Sequence, residues 1–312
     1  MSIPQPLNFS ELLDNITLPT YSEPEQAQRI FHGRGHAYKD LNHITIDWLK
    51  PLLLITLFAP VSKDDLALLA KQLTLRYEQC ESIQVQHRYE TSWLVECIFG
   101  EPIHQLNIIE SNLRYKLNIK SGVNTGLFLD MKNGRDWINA HSKNKRVLNL
   151  FSYTCGFSIA AAAGDAKSVF NIDMSSPFLS TGRENHRLNN QSLKAIRFDK
   201  LNILKSFGRI KKHGPYDLII CDPPTFQKGS IDIVRDYPKL IRRFLEFISN
   251  DGILFLCINT PHIGSLTGKE FLLNTMQDNA SDFSLIEEVK PPSVYKDMQG
   301  KGTKILIFKR PS

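Results

Sequence analysis

Asp222-Pro223-Pro224-Thr225-Phe226 follows the apolar run Tyr216 to Cys221. Two consecutive prolines remove two backbone donors and fix φ at about -65°, so sheet pairing ends there and backbone carbonyls are released. Open α/β sheets take their ligands at the carboxyl ends of their strands. A carboxylate at Asp222 beside the Pro223 carbonyl then forms an acceptor cluster suited to a planar, amino-bearing group, with Phe226 as a face for stacking. The competing reading is a proline-rich loop that closes a core strand, with Phe226 simply packing.

A second strand-loop-helix passage lies upstream. Asn149-Leu150-Phe151-Ser152-Tyr153-Thr154-Cys155-Gly156 runs from an apolar strand into the apolar helix Phe157 to Ala163. This is the nucleotide crevice of a doubly wound sheet, but it lacks the G-x-G-x-x-G glycines that bring backbone up to a pyrophosphate. A nucleoside ligand without phosphate, such as S-adenosylmethionine, fits better. The next strand ends at Asp173, where a carboxylate can accept from both ribose hydroxyls. Asn202 follows the third strand, in place to accept from an adenine amino group.

These residues need a parallel sheet to carry them, and the chain alternates accordingly. Strands are expected at Arg146 to Phe151, Ser168 to Asp173, Ala195 to Phe198, Tyr216 to Cys221, Ile253 to Ile258, Phe283 to Val289 and Lys304 to Phe308. Helices run from Ser176 to Asn190, with a serine cap and Pro177 in the first turn, and from Ile233 to Ser249. The fold class is α/β, a Rossmann-like seven-stranded sheet whose last two strands close antiparallel, with a smaller N-terminal α+β domain. In that domain residues 1 to 45 read as an arm with short helices, Glu23 to Phe31 among them. A strand (Leu52 to Phe58), a helix (Ser62 to Tyr77), strands at Ser82 to Arg88 and Trp93 to Phe99, and a hairpin at Glu110-Ser111-Asn112 follow. The turn-rich Lys120 to Gly126 sets the boundary, giving domains 1–120 and 121–312.

With 312 residues and 42% hydrophobic content the chain can bury two cores. It has no apolar run of membrane-spanning length. Met1-Ser2-Ile3-Pro4 lacks the features of a signal peptide, so a cytoplasmic protein is expected. The five cysteines form no Cys-x-x-Cys pair and read as reduced thiols. No metal site is expected, since Gly33 and Gly35 weaken the helix that His32 and His36 would share. Charge is unevenly placed. Residues 1–120 carry 11 Lys/Arg against 14 Asp/Glu, whereas residues 121–312 carry 27 against 18. A basic large domain is the footprint expected for a polyanion such as RNA. Lys228, Arg235, Arg242 and Arg243 are its candidate phosphate contacts, with a solvated helix face as the alternative.

Four motifs together resemble the class I S-adenosylmethionine-dependent methyltransferases that modify bacterial 23S rRNA. They are Gly126-Leu127-Phe128-Leu129-Asp130, Val147 to Gly156, Asp173-Met174-Ser175 and Asp222-Pro223-Pro224-Thr225-Phe226. The resemblance covers about 190 residues, from Thr125 to the C-terminus, and is closer to the guanine-N7 module than to the cytosine-C5 type. It implies that Phe128, Asp130, Asn149, Tyr153, Asp173, Asn202 and Asp222 contact the cofactor or line its pocket. The same motifs bring Phe151, Thr154, Gly156 and Met174 to that pocket.

Three positions depart from the family pattern. Asp130-Met131-Lys132 stands where Asp-x-Arg is usual, Asn202 replaces the usual acid, and Asn259 holds the place of the cytosine-C5 nucleophilic cysteine. Cys257 shares a strand face with Asn259 but sits about 6 to 7 Å further back, and reads as core. Asn259 thereby becomes a candidate substrate contact. The resemblance implies methyl transfer to a base nitrogen of large-subunit rRNA, with Asp222, Pro223 and Phe226 at the reacting base. The alternatives are a cytosine-C5 RNA enzyme, an amino-group methyltransferase on DNA or protein, and a silent RNA-docking adaptor.

Overall fold

The computed structural model describes residues 5–18, 25–90, 94–120, 124–224, 226–227, 231–259, 263 and 265–311, with backbone alone for 226 and 227. The chain forms two compact units, residues 1–130 with 292–299, and residues 131–291 with 300–312. Residues 121–130 therefore group with the N-terminal part, and so does a short excursion from the C-terminal part.

The first unit begins with α1 (Phe9–Asp14), β1 (Gln28–His32), β2 (Ile44–Leu49) and β3 (Leu52–Leu57). It continues through α2 (Lys63–Arg76), β4 (Ser82–His87), β5 (Val95–Gly100) and a hairpin of β6 (Gln105–Glu110) and β7 (Leu113–Asn118). Its sheet has the order β1-β2-β3-β4-β5. Among the described strands of this sheet only β3 and β4 pair in parallel, and α2, capped by Ser62 Oγ accepting from Asp65 N at 3.0 Å, makes the crossover a parallel pair requires.

One expectation fails in this unit, and one strand was not foreseen. The described part of the expected helix Glu23 to Phe31 is not helical: Gln28–His32 is a strand registered on Thr45 to Trp48. Ile44–Leu49 is a fully buried strand that overlaps the expected arm only at its first two residues and was otherwise assigned no element. Glu, Gln, Ala and Arg are good helix formers, but pairing with a buried neighbour overrides so weak a preference. The excursion docks here too. Tyr295 lies against His32 with ring centroids 4.9 Å apart, and the Arg29 guanidinium, ion-paired with Asp47, sits 5.2 Å from the Tyr295 ring.

The second unit begins with α3 (Lys132–His141), β8 (Arg146–Leu150), α4 (Gly156–Ala163), β9 (Ser168–Asp173), α5 (Ser176–Leu188) and β10 (Ile196–Lys200). Next come α6 (Phe207–Lys211), β11 (Tyr216–Cys221), the short pair β12 (Phe226–Gln227) and β13 (Ile231–Asp232), and α7 (Ile233–Phe244). The unit closes with β14 (Ile248–Ile258), α8 (Gly268–Asn279), β15 (Ser284–Val289) and β16 (Lys304–Lys309). The seven-stranded order is β10-β9-β8-β11-β14-β16-β15. β10, β9, β8, β11 and β14 pair in parallel, and β16 is antiparallel to both β14 and β15.

The central strands are covered on both faces and therefore read as unbroken apolar runs. On α7, Ile233, Tyr237, Leu240, Ile241 and Phe244 are buried, the stripe of a helix lying on a sheet. At about 25 cal/mol per Å² of apolar surface, burying these five side chains stabilises the fold by roughly 10 kcal/mol before conformational entropy is counted. Strand order reverses between β8 and β9 on one side and β8 and β11 on the other. A crevice therefore opens at the carboxyl end of β8.

Candidate active site

The loop leaving β8 has an unusual backbone. Phe151, Tyr153 and Cys155 have φ of 55°, 48° and 66°, three left-handed residues in five, none of them glycine. Each costs on the order of 1 to 3 kcal/mol and persists only where its surroundings dictate it. Here they do. Ser152 N donates to Ile172 O at 3.0 Å and Cys155 N to Ser152 O at 2.7 Å. Tyr153 N donates to Asp173 Oδ2 at 2.9 Å, and Asn185 Nδ2 to Thr154 O at 3.1 Å. Gly156 opens α4 directly behind the loop.

The helix behind the loop makes room for it at one glycine. A Cβ on Gly182 of α5 would collide with Cys155 Sγ and come within 2.9 Å of its Cβ. Cys155 is fully buried, which pushes its thiol up to about 12. Glycines are thus absent from the loop that turns and present in the helix that packs on it.

Asp173 ends β9 half-buried. Its Oδ2 takes the Tyr153 amide and its Oδ1 takes Ser175 N at 2.8 Å. Each carboxylate oxygen keeps a second acceptor site, so the side chain can shape the loop and still bind two vicinal hydroxyls. Met174 and Phe178 are exposed beside it, 38% and 41%, and the Phe178 ring meets Tyr153 edge-on at 4.5 Å. Phe178 flanks the candidate site through that ring contact, and the sequence reading missed it. Its position one turn into α5, below an exposed Met, was the available signal. Asn202 precedes a short turn and makes no side-chain capping bond, while Leu201 N donates to Asp173 O at 3.0 Å. The end of β9 is thereby tied to the segment that leads from β10 to Asn202.

Asn149 also belongs to a network that the sequence reading did not foresee. Its side chain is 1% exposed and begins a buried polar chain. Asn149 Nδ2 donates to Asn171 Oδ1 at 2.9 Å, and Asn171 Nδ2 donates to Ser158 Oγ at 2.9 Å. Ser158 Oγ meets His186 Nε2 at 2.9 Å, His186 Nδ1 meets Gln191 Oε1 at 2.6 Å, and Gln191 Nε2 donates to Ile159 O at 3.0 Å. The glutamine oxygen can only accept, so Nδ1 carries the imidazole proton and Nε2 takes the serine hydroxyl's. Burial enforces that neutral form by lowering His186 to about 4.

Two buried oxygens near the loop, Asn149 Oδ1 and Ser152 Oγ, have no hydrogen-bond partner among the described residues. Orphaned acceptors are uncommon in protein interiors. Together with the strained loop and Asp173, they match a ligand that brings hydroxyl and amino donors, as S-adenosylmethionine does.

Asp222 follows β11, half-buried, with Pro223 buried and Pro224 exposed. Tyr237 of α7 anchors this corner: its fully buried hydroxyl donates to Cys257 O at 3.0 Å and lies 3.5 Å from Cys221 O. It thus joins the carboxyl ends of β11 and β14. Cys221 and Cys257 are both 0% exposed, and burial pushes the Cys221 thiol far up. Asn259, by contrast, is exposed at the end of β14.

The candidate cations on α7 have partners. Arg235 grips Asp236 at 3.0 and 2.7 Å, Arg242 bonds Asn279 Oδ1 at 2.6 Å, and Arg243 bonds Glu246 at 2.5 Å. Lys228 and the side chain of Phe226 lie outside the described residues. Phe128 and Asp130 belong to the first unit. Among the described residues no group of three His, Cys, Asp or Glu could hold a metal ion. No described helix is long and apolar enough to cross a membrane.

A family model described as S-adenosylmethionine-dependent methyltransferase matches residues 28–309. The chain belongs to that family. S-adenosylmethionine is its cofactor, and the seven-stranded sheet is the family's Rossmann-like fold. The structure of SMU.776 in complex with SAH superposes with a TM-score of 0.81 at 24% identity, over 93% of this chain and 76% of that one. YwbD of Bacillus subtilis (strain 168) is 27% identical across 91% of this chain and 74% of its own.

Ribosomal RNA large subunit methyltransferase K/L of Shewanella sp. (strain MR-4) is 34% identical over 193 residues, 60% of this chain and 27% of its own. Ribosomal RNA large subunit methyltransferase K of Neisseria meningitidis serogroup B is 32% identical over 203 residues, 62% and 53%. The chain thus spans about a quarter of the K/L enzyme and about half of K.

Proposed function

We propose that this methyltransferase acts on a base nitrogen of large-subunit rRNA, without a covalent bond between enzyme and base. One observation carries the reading. The carboxyl edge of the sheet presents Asp222 and Asn259, while Cys221 and Cys257 are sealed in the core. A carbon-directed enzyme needs an accessible thiolate to activate the ring, and a thiol sealed in an apolar core is inert. The names of the K and K/L relatives, ribosomal RNA large subunit methyltransferases, supply the substrate class.

S-adenosylmethionine, when bound, supplies a sulfonium methyl that a nitrogen lone pair can take directly, so the protein's task is positioning. Asp173 would hold the ribose hydroxyls, with Tyr153 and Met174 flanking and Asn202 toward the adenine. Asp222 and the Pro223 carbonyl would accept from the base, orienting it and favouring the charge that develops on it. Phe226 would stack on a base drawn out of its pairing.

The test is nucleoside mass spectrometry of rRNA from a deletion strain, joined to assays of purified Cys257→Ala on rRNA transcripts. One missing N-methylated nucleoside and an active Cys257→Ala are expected. A missing 5-methylcytidine, or a folded but inactive Cys257→Ala, overturns the reading in favour of carbon methylation.

A further inference from the structure

The two edges of the seven-stranded sheet carry opposite charge. β15 bears Glu287 and Glu288 and neither Lys nor Arg. At the other edge, residues 191–215, comprising β10 and the turn through α6, hold seven Lys/Arg and one acidic residue. That local surplus equals the net charge of the whole chain, +6.

The single acid is already engaged. Asp199 is buried and takes Arg197 at 3.1 Å and Arg209 at 2.8 Å. Lys194, Lys200, Lys205 and Lys212 are exposed, and none makes a side-chain ion pair or hydrogen bond with the described residues. These four thus differ from the α7 arginines. Lys200 is the register partner of Asp173, so the basic edge begins at the crevice and runs back along about 16 Å of strand.

Lysines also guard edge strands against pairing with other chains. A guard needs charge rather than one sign, as β15 shows with its glutamates. Moreover, Lys205 and Lys212 lie beyond the strand, where nothing needs guarding. A stretch of a single sign is a field for an anionic polymer.

We propose that the β10 edge and its following turn form the surface on which the RNA backbone docks, with Lys194, Lys200, Lys205 and Lys212 facing phosphates. The proposal rests on the RNA reading above and adds the place and the contacts.

The test is filter binding of the full chain to transcribed large-subunit rRNA across a salt series. The wild type is compared with K194A/K200A/K205A/K212A and with the pairs K194A/K200A and K205A/K212A. For the quadruple variant the log-log salt slope should flatten by about 3, and by about half of that for each pair. Affinity for S-adenosylhomocysteine, measured by calorimetry, should stay within about twofold and certifies folding in each case. A wild type that binds and variants that keep its slope overturn the docking surface alone. Self-association of those variants with the slope kept assigns the lysines to edge protection instead. Failure of the wild type to bind rRNA overturns the RNA reading itself.

Discussion

Two loops meet at the carboxyl edge of the sheet, and they hold their shapes by opposite means. The Phe151–Cys155 loop is strained, with three left-handed residues clamped by bonds from β9, α5 and its own backbone. The Asp222-Pro223-Pro224 loop has its conformation written into proline rings, which set φ at little cost. It is fixed at its root by one tyrosine hydroxyl reaching the carbonyls of β11 and β14. The loop beside Asp173 is over-determined by its neighbours. A loop that presents one carboxylate and one carbonyl needs only local stiffness.

The contrast also explains what could be read from the residues. Asp-Pro-Pro announces itself because proline's effect is local. The central strands of the second unit, β8, β9, β11 and β14, were equally legible, since strands buried on both faces are plain apolar runs. Phe151, Tyr153 and Cys155 give no sign of positive φ, because what imposes it is Asp173 some 20 residues on and Gly182 on a packing helix. The chain from Asn149 to Gln191 crosses two strands and two helices, and no spacing rule connects them. In the first unit, β1 was hidden by residues with helical preferences. The basic half of the chain was visible as a count, but its concentration at one sheet edge needed the strand order.

The largest effect expected is at the chemical loop. Asp222→Ala should cost about a hundredfold or more in methyl transfer, with the fold kept. Single-turnover assays on an accepted rRNA fragment measure it. A loss under about tenfold would shift the burden of base orientation from the carboxylate to the backbone carbonyl alone.

On the cofactor side, the chain behind the strained loop predicts a pH response. The unfolded protein takes up a proton on His186 near pH 6.5, and the folded protein refuses it until about 4. Stability therefore rises with pH across that window and is lost as the pH falls through it, by about 3 kcal/mol from this group. His32, lowered to about 3 by burial and then by Arg29, adds a similar slope. The difference between wild type and His186→Asn in urea titrations at pH 7 and pH 4.5 isolates the one from the other. Equal slopes in both proteins would mean the chain does not hold the imidazole neutral.

Asp173→Ala removes a clamp and, on the proposed reading, a ligand contact with it. Loss of charge-assisted hydrogen bonds of this kind costs about 1.5 to 3 kcal/mol, or roughly ten- to a hundredfold in S-adenosylmethionine affinity. Calorimetry reads it directly, and a Kd within about twofold of wild type would remove Asp173 from the cofactor site. Asp173→Asn sharpens the test. The amide keeps one acceptor oxygen for a backbone donor but cannot serve both Tyr153 and Ser175 as the carboxylate does, so an intermediate loss is expected.

The smallest effect belongs to the other anchor. Tyr237→Phe deletes one hydroxyl while leaving the ring packed at 6.3 Å from Phe271. A neutral hydrogen bond is worth about 0.5 to 1.5 kcal/mol net, and here two strand-end carbonyls lose a shared donor inside the core. If the hydroxyl only stabilises the fold, urea titration will record that loss and kcat will not move. If it also holds Asp222 in place, kcat falls several-fold while affinity for S-adenosylhomocysteine stays unchanged, because the cofactor loop has its own clamps. The second outcome is expected, since the two carbonyls it spans belong to the last residue before Asp222 and to the strand that carries Asn259. An unchanged kcat in Tyr237→Phe would leave the two prolines as the sole source of that loop's stiffness.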